Sequence, residues 1–262
     1  MIKAWWFNNE GENFGDAICP WILEKMTGQK IERSDTNGSL ASIGSILMYN
    51  YSSPKVIWGS GAISDYHHSP MIREHKVLAV RGPKSRQRLL EEGISCPEAY
   101  GDPSLLLPYL VDDVEVEKEY EVSYLPHWVD LNLLRSNPRI ANNYNIIDIR
   151  SGVHNVLSEI RKSKRVISSS LHGLIVPEAF GIPSYFIRIS SRVTGKYFKF
   201  EDYYNSTNRE MKCFEDIGAN NLDTDNIINN YENLGMEIDL VPLVMSFPYN
   251  ITNDRLKKEL DI

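Results

Sequence analysis

The chain has 262 residues, a hydrophobic content of 42% and a formal net charge of −7 from 28 basic and 35 acidic side chains. These values describe a globular protein of one or two domains with a large apolar core. The acidic balance disfavours a general nucleic-acid binder, although a small anion needs only a few locally placed cations.

The three cysteines, Cys19, Cys96 and Cys213, are odd in number and far apart, which argues against a disulfide framework and predicts reduced thiols. The histidines outside the segments discussed below show no metal-ligand spacing with carboxylates or cysteines, so we expect no metal. No apolar run approaches the ~20 residues of a membrane span, and the amino terminus does not read as a secretory signal. We therefore expect a cytoplasmic protein.

Short apolar runs alternate with amphipathic stretches, which predicts βαβ units on a parallel sheet. In the first half, KAWWF predicts a strand, and a helix follows from about Asp16 to Met26, ended by Gly28. KVIWG and KVLAVRG predict strands that stop at glycines. PKSRQRLLEEG predicts a helix with Pro83 in its first turn and Gly93 beyond its end.

The highly charged stretch 112–121, DDVEVEKEYE, predicts a domain boundary near residue 115. Beyond it, EVSYLPHW, YNIIDI, RVISSS and SYFIRI predict strands, and VDLNLL, GVHNVLSEIRKS and the residues after RVISSS predict helices. We predict an α/β fold of two Rossmann-like domains facing a cleft, 1–115 and 116–262, with the tail from about residue 245 packing back on the first. A single continuous sheet stays open, because the boundary is not rich in glycine or serine.

The segment VISSSLHGLIVPEAFG places a strand end directly before a helix start. Backbone N–H groups and the helix dipole there suit a carboxylate or phosphate. Ser169 or Ser170 would cap this helix, Leu171 would belong to the binding turn, and His172 would sit at the mouth of the sheet. A proline at 177 suggests a late helix start. Position alone supports a catalytic His172 and a structural one equally.

The loop NNEGENFGD precedes the first helix and offers amides such as Asn13 to a substrate. Gly15 can supply an unusual backbone angle, and Asp16 either caps the helix, the commoner role, or reaches the cleft as a base. The acidic Glu10 and Glu12 make this loop better suited to sugar hydroxyls than to phosphate.

Three further segments follow predicted strands. In WGSGAIS, two glycines directly after a strand allow the backbone to approach a ligand closely, with Gly59 and Ser60 as candidate binding residues, but the third glycine of a dinucleotide fingerprint is absent. Arg81 stands at a strand end, where its guanidinium could pair bidentately with a carboxylate or phosphate. His127 lies between a strand and a helix, a second histidine at a predicted cleft.

The segment IRISSRVTGKYFKFEDYY follows the last predicted strand and carries Arg188, Lys196 and Lys199. A flexible Gly195 among cations and aromatic residues is typical of a loop that folds over an anionic ligand. A surface loop whose lysine stems lie along apolar surface explains the pattern equally well.

The order of NFGD, WGSG, VRGPKS, YGDPSLLLP, PHWVD, SSSLHGLIVPEAFGIPS and KFEDYY resembles the polysaccharide pyruvyl transferase family, over the chain up to about residue 210. The resemblance implies a fold like the glycosyltransferase-B type. It also implies transfer of the pyruvyl group of phosphoenolpyruvate, a substrate rather than a cofactor, to a sugar of a cell-surface polysaccharide or its lipid-linked precursor. A lipid-linked acceptor would bring the protein to the inner face of the membrane as a peripheral protein.

The resemblance also implies roles for individual residues. His172 matches the family's histidine, Arg81 its donor-binding arginine and His127 its Pro-His element. Ser170 stands where some members have an arginine that binds the donor carboxylate, so the resemblance leaves open which cation holds that group.

We therefore hypothesise that Arg188 or Lys196 binds the donor carboxylate in place of that arginine. His172 is the general acid and Asp16 or His127 the base.

Two other functions fit parts of the pattern. A nucleotide-sugar glycosyltransferase of the same architecture would explain the fold, although no clear diphosphate loop supports it. A non-catalytic saccharide-binding protein would explain tryptophans such as Trp5 and Trp128, but gives no reason for histidines and arginines at strand ends. The sequence leaves the oligomeric state open.

Overall fold

A computed structural model of the chain describes residues 1–7, 13–66, 72–213, 222–229 and 235–262. The strands, in chain order, are β1 (Ile2–Trp5), β2 (Ile31–Arg33), β3 (Ser39–Ala41), β4 (Lys55–Trp58), β5 (Lys76–Ala79), β6 (Ser123–Leu125), β7 (Asn145–Ile146), β8 (Val166–Ser168) and β9 (Ser184–Phe186).

The helices of the described residues are α1 (Phe14–Thr27), α2 (Pro83–Glu91), α3 (Leu107–Leu110), α4 (Leu131–Arg135), α5 (Pro138–Ala141), α6 (Val153–Arg161), α7 (His172–Ala179), α8 (Phe198–Ser206), α9 (Thr224–Asn229), α10 (Val241–Met245) and α11 (Asp254–Glu259). Short 3-10 turns lie at Ile72–Glu74 and Pro103–Leu106. None of these helices is long and apolar enough to cross a membrane.

The strands form two separate parallel sheets. One has the order β2-β1-β3-β4-β5 and the other β7-β6-β8-β9. Representative register pairs are Ile2 with Ile31 in the first sheet and Tyr124 with Ile167 in the second. The α/β prediction with parallel strands is confirmed, and the alternative of one continuous sheet is excluded for the described residues. The charged stretch 112–121 lies between the two sheets along the chain, and the domain boundary near residue 115 stays a prediction.

The first helix shows how local sequence sets an element. It begins at Phe14, and Gly28 ends it in the left-handed conformation, with φ 65° and its N–H donating to Glu24 O. A residue without a Cβ adopts this angle at little cost, so the predicted stop at Gly28 is confirmed. Apolar side chains such as Ile18 and Ile22 are fully buried, which fixes the helix against the sheet.

One hydrophobic core extends from the first sheet to the second. It includes Trp58 of β4 and Val166 of β8, both fully buried. The indole of Trp58 also donates to Leu243 O at 2.8 Å, and the backbone N–H of Thr252 donates to Met26 O at 2.8 Å. The carboxyl-terminal part of the chain therefore packs on the elements of the first sheet.

Helix α8 occupies the second part of the segment 187–204, which the sequence predicts as a loop. Phe200, Tyr203 and Tyr204 recur at helical spacing and are all buried, so packing against the core stabilises a helix there. Gly195, before the helix, is buried. A Cβ at this residue would come within 2.1 Å of Ile63 O.

The start of α7 also differs from the prediction. Leu171 is the N-cap and makes no side-chain capping bond, so capping by Ser169 or Ser170 is wrong. The helix begins at His172 with Pro177 inside it, so the proline does not delay the start. The short strands β2 and β3 were not predicted, because three residues carry too little periodicity to be recognised.

Candidate functional site

A cleft of about 610 Å³ lies where the carboxyl ends of strands from both sheets come together. This is the usual position of ligand sites in open α/β sheets. The first sheet contributes the start of α1 and the residues after β1 and β3, and the second contributes the residues after β6, β8 and β9. Among the described residues, the polar lining comprises Asn13, Asp16, Ser45, Tyr49, His127, Trp128, Ser170, His172, Arg192, Thr194 and Lys199.

His172 lies in the first turn of α7 and is almost fully buried. Its Nε2 faces Oδ2 of Asp102 at 3.5 Å. Its Nδ1 lies against Gly15, where a Cβ would come within 2.1 Å of that nitrogen. Glycine at position 15 therefore makes room for the ring between α1 and α7, so that an element of each half of the chain fixes the position of the imidazole.

Asp102 is fully buried at the start of the Pro103–Leu106 turn. Its Oδ1 accepts hydrogen bonds from the N–H of Ser104 at 2.9 Å and from its Oγ at 2.7 Å. Burial acts to raise the pKa of the Asp102 carboxyl, but attraction to His172 and the hydrogen bonds from His172 and Ser104 outweigh it and lower that pKa. Asp102 is therefore an anion beside the histidine.

Asp16 lies in the first turn of α1, partly buried at the cleft wall. The side-chain amide of Asn13 donates to its Oδ2 at 2.9 Å. Burial raises the pKa of the Asp16 carboxyl, and the hydrogen bond from Asn13 with the attraction to His172 and Lys199 opposes only part of that rise. A carboxylate with a raised pKa is a stronger base than an exposed one.

His127 follows β6 and is held by its own backbone. Its N–H donates to Oγ of Ser169 at 3.0 Å, and that hydroxyl donates to Oδ2 of Asp130 at 2.8 Å. Burial, with a smaller contribution from the nearby charge of Lys199, lowers the pKa of His127 to about 4. The imidazole is therefore neutral near pH ~7, and Ser169 holds the backbone of this residue.

Lys199 brings a cation into the cleft from α8, and the side chain is buried. Its Nζ lies 5.3 Å from the centre of the Phe200 ring. Burial first, and then the charge of Arg81, lower the pKa of Lys199 to about 8, while Asp16 opposes this. A desolvated ammonium of this kind attracts an anion more strongly than an exposed lysine does.

Asp16, His127 and Lys199 thus have pKa values shifted by burial, and they line one cleft with His172. Clusters of shifted pKa values mark functional sites more often than other surfaces. A carboxyl with a raised pKa, a neutral imidazole and a buried ammonium can respectively accept a proton, give or accept a hydrogen bond, and hold an anion. The arrangement suits acid–base chemistry on an anionic substrate.

Arg81 does not line this cleft. It is fully buried, with Nε donating to Asp202 Oδ2 at 3.0 Å, Nη1 to Ser45 Oγ at 2.8 Å and Nη2 to Ala62 O at 2.8 Å. A Cβ at Gly61 would come within 2.3 Å of the guanidinium carbon, so the packing around it is tight. Asp202 already balances the charge of Arg81. Binding of the donor by Arg81 stays a prediction.

The other predicted cations lie at a second, smaller cavity of about 70 Å³, which Arg188, Lys196 and Ser169 line. The guanidinium of Arg188 donates to the hydroxyl of Tyr197 at 2.9 Å. Lys196 is exposed and has a positive φ of 46°. The structure therefore separates these two cations from the cavity that holds His172.

Gly59 and Ser60 contribute to the frame around the cleft. A Cβ at Gly59 would come within 2.4 Å of Pro103 Cδ, and the hydroxyl of Ser60 donates to Gly44 O at 3.0 Å. Gly44 itself lines the cleft, so Ser60 supports a wall. Of the other predicted residues, Asn13, Ser170 and Leu171 do line the cleft.

The sequence pattern did not mark Asp102 or Arg192 as site residues, and it marked Lys199 only as one of several cations in the last loop. Asp102 belongs to the YGDPSLLLP motif, one of the segments that carry the family resemblance, and this was the available signal. Lys199 stood among other cations, with no local feature to distinguish it from a surface lysine. The predicted Glu10 and Glu12 lie outside the described residues. Within the described ranges no group of three or more His, Cys, Asp or Glu side chains could hold a metal ion.

The chain matches a protein family and is similar to known proteins. The family profile described as Polysaccharide pyruvyl transferase matches residues 37–191, a stretch that contains Asp102, His127 and His172. The chain is similar to the Succinoglycan biosynthesis protein ExoV of Rhizobium meliloti (strain 1021), with 25% identity over 211 residues, covering 77% of this chain and 64% of that protein. The chain thus spans less than two thirds of that relative.

A second relative is the Uncharacterized protein L143 of Acanthamoeba polyphaga mimivirus, with 24% identity over 232 residues, covering 83% of this chain and 79% of that protein. No solved structure matches the chain significantly.

Proposed function

The chain belongs to the polysaccharide pyruvyl transferase family, and on this premise we propose that it moves the pyruvyl group of phosphoenolpyruvate onto two hydroxyls of a sugar, with release of phosphate. The sugar is part of a cell-surface polysaccharide or of its lipid-linked precursor. The name of the relative ExoV, a succinoglycan biosynthesis protein, supports an acceptor of this class.

The observation that carries the proposal is the meeting of Asp16, His127, His172 and Lys199 in one cleft of about 610 Å³. Phosphoenolpyruvate needs cations for its carboxylate and phosphate, and ketal formation needs a proton donor and a proton acceptor. A cleft of this volume falls within the ~300–1,000 Å³ typical of small-molecule sites, and so has room for the donor and the reacting sugar together.

For the donor, we assign Lys199 to one anionic group and the backbone N–H groups at the start of α7 to the other. The buried ammonium is a strong partner for an anion, and the first N–H groups of a helix have no acceptors within the helix. Arg192, exposed at the rim of the cleft, adds a second charge. This assignment supplies a cation where Ser170 replaces the arginine of some family members.

The chemistry is an addition followed by a substitution at the same carbon. A proton adds to the methylene carbon, and a sugar hydroxyl bonds to the neighbouring carbon, which has oxocarbenium character. The bond from that carbon to the phosphate oxygen then breaks, and the second hydroxyl closes the ring. The two hydroxyls lose two protons. One balances the proton on the methyl group, and the other leaves with phosphate.

Within this scheme His172 gives the proton, because it stands at the head of α7 beside the donor. Asp16 accepts the proton of the attacking hydroxyl, since burial has raised the pKa of its carboxyl. His127, neutral near pH ~7, positions the sugar by hydrogen bonding. Acid–base assistance of this kind contributes about a hundred- to ten-thousand-fold to the rate.

We also propose that the two sheets are the cores of two Rossmann-like domains, 1–115 and 116–262, arranged as in glycosyltransferases of the B type. The parallel order of both sheets and the cleft at their carboxyl ends support this. Limited proteolysis of the full chain tests the boundary: first cleavage within 112–121 supports it, and first cleavage inside either sheet contradicts it.

The proposed localisation is the cytoplasm, at the inner face of the membrane when the acceptor is lipid-linked.

The test of function is incubation with phosphoenolpyruvate and a panel of free and lipid-linked saccharides, followed by a phosphate assay and mass spectrometry. The expected result is phosphate release that depends on the acceptor, with one pyruvyl group added to it. His172→Ala should abolish both. The matched control is His154→Ala, because that histidine is exposed on α6, and it should keep full turnover.

The same assay separates the competing functions. Release of a nucleoside diphosphate from a nucleotide sugar would indicate a glycosyltransferase and would overturn the proposal. Saccharide binding without any transfer or phosphoenolpyruvate binding, measured by calorimetry, would indicate a non-catalytic binding protein.

A further inference from the structure

Asp102 and His172 share an unusual contact. Among the described residues, Oδ2 of Asp102 and Nε2 of His172 are buried side-chain atoms without a hydrogen bond that meets strict geometry, and they face each other at 3.5 Å. Catalytic hydrogen bonds are often long in the absence of substrate and shorten when it binds. Each atom is therefore the natural partner of the other.

We propose that Asp102 is a positioning residue that holds the Nε2 proton of His172, so that Nδ1 is the nitrogen that exchanges a proton with the substrate. This inference rests on the proposed function and deepens it. Asp102 touches neither donor nor acceptor and acts only through the histidine.

The surroundings of Asp102 support this orientation. Its Oδ1 is occupied by both donors of Ser104, which leaves Oδ2 for the histidine. An ionised carboxylate can only accept hydrogen bonds, so the nitrogen that faces it must carry the proton. In a neutral imidazole only one nitrogen is protonated, so Nδ1 is free to take up the proton that the resulting imidazolium gives to the donor.

The other side of the ring supports the same assignment. Nδ1 lies against Gly15, the residue before Asp16, and so on the side of α1. Asp16 lines the cleft and is electrostatically coupled to His172. The ring therefore lies between the buried carboxylate of Asp102, which fixes its tautomer through Nε2, and the α1 side of the cleft, where Asp16 lies.

The variant that tests the inference is Asp102→Asn. Asparagine has nearly the same shape as aspartate, and its Oδ1 can accept both hydrogen bonds from Ser104. Its side-chain NH₂ group then faces Nε2 of His172. The histidine must accept that bond at Nε2 and carry its proton on Nδ1. The expected result is a fall in kcat of about a hundred- to ten-thousand-fold, a small change in KM for phosphoenolpyruvate, and an unchanged circular-dichroism spectrum.

The direct measurement is the ¹⁵N chemical shifts of the two His172 ring nitrogens, assigned by comparison with His172→Gln. The wild-type protein should show the Nε2–H tautomer and Asp102→Asn the Nδ1–H tautomer. Ser104→Ala, which removes a donor to the other carboxyl oxygen, should keep the wild-type tautomer. An Nδ1–H tautomer in the wild type, or unchanged kcat in folded Asp102→Asn, overturns the inference. If the tautomers are as expected but no acceptor is pyruvylated, the proposed function fails and the pairing stands.

A second observation concerns an aromatic recess, a cavity of about 480 Å³ bordered by Trp5, Arg33, Asp35, Tyr49 and Tyr51. The rings of Trp5 and Tyr49 lie 4.5 Å apart and those of Tyr49 and Tyr51 5.3 Å apart. Tyr49, which is 38% exposed, lines both this recess and the main cleft. The two cavities therefore meet at Tyr49.

We infer that the aromatic recess binds the sugar unit next to the one that reacts. A polysaccharide acceptor continues beyond its reacting sugar, so the cleft needs a neighbouring surface for it. The exposed ring of Tyr49, backed by the buried rings of Trp5 and Tyr51, offers an apolar face to the carbon–hydrogen face of a sugar. The guanidinium of Arg33 and the carboxylate of Asp35, which also pairs with Lys55, offer a donor and acceptors for hydroxyls. This assignment also rests on the proposed function.

Calorimetry with a panel of disaccharides and tetrasaccharides tests the recess without any need for turnover. At least one tetrasaccharide should bind more tightly than the matching disaccharide, and Tyr49→Ala should remove this advantage, about tenfold in Kd. Tyr66→Ala, at an exposed tyrosine that lines neither cavity, should keep it. Equal affinity of both lengths throughout the panel, or an advantage that survives in Tyr49→Ala, overturns the inference. Tight tetrasaccharide binding without phosphate release would count against the proposed function alone.

Discussion

Gly15→Ala adds a single methyl group and is expected to lower kcat at least about a hundredfold. The added methyl group would lie 2.1 Å from Nδ1 of His172, 2.8 Å from Cε1 and 2.9 Å from Cγ. Ordinary contacts between such atoms are about 3.5–4.0 Å, so the ring must move by roughly 1.5 Å or α1 must shift. A misplacement of about 1 Å in a catalytic group costs about a hundredfold in rate, and we expect at least that loss in kcat.

The same substitution should cost little stability. Overpacking a buried site costs about 1–3 kcal/mol, but alanine in a helix is about 1 kcal/mol better than glycine. The net loss is then about 0–2 kcal/mol, which for a chain of this length lowers Tm by only a few degrees. Activity and stability should therefore separate clearly.

The assay is phosphate release with phosphoenolpyruvate and an accepted saccharide, alongside thermal unfolding of the same samples. Gly235→Ala is the matched control, because no heavy atom lies within 4 Å of a Cβ built there and its φ is not positive. It should behave as wild type in both measurements. Near-normal kcat in Gly15→Ala would refute the view that the contact between α1 and α7 fixes the histidine.

Three further predictions concern buried ionisable side chains. KM for phosphoenolpyruvate should rise as the pH passes about 8, where the ammonium of Lys199 loses its proton, and Lys199→Met should raise KM at neutral pH and remove this dependence. Arg81→Met, which leaves the fully buried Asp202 without its cation, should lower the free energy of unfolding by about 3–5 kcal/mol in urea denaturation, whereas Lys84→Met, at a half-exposed ion pair, should cost no more than about 1 kcal/mol. Burial and a nearby lysine lower the pKa of His75 to about 4, so folding favours the neutral imidazole. The stability that this preference contributes is complete above about pH 6.5, is lost as the pH falls through about 4, and amounts to roughly 3 kcal/mol at most. In denaturation measured at several pH values, His75→Gln should abolish this loss.

Helices and strands with a clear local sequence pattern were predicted correctly. Helices with clear stop signals, such as α1 before Gly28, and the buried strands around the cleft follow from apolar runs and glycines. The segment 198–206 was missed as a helix because its aromatic residues read equally well as a ligand loop. Only the burial of these rings against the core shows that their spacing is that of a helix.

The site was predicted in part, for a related reason. Strand ends identified Asp16, His127 and His172, because parallel strands bring their carboxyl ends to one edge. The same argument placed Arg81 at a strand end but could not show that an acid 121 residues further along the chain would pair with it. The cations of the last loop were indistinguishable by pattern, and packing brought Lys199 alone of the predicted lysines into the main cleft.

The sequence by itself determined the class of fold, the order of the motifs and thereby the family, because these depend on neighbours along the chain. Tertiary structure alone decided that Asp102 faces His172, that Gly15 makes room for the ring and that Asp202 neutralises Arg81. It also decided the pKa shifts of Asp16, His127 and Lys199, since these depend on how much water the packing of two sheets excludes. Desolvation and pairing between distant segments have no local signature, and in this protein they set the chemistry of the cleft.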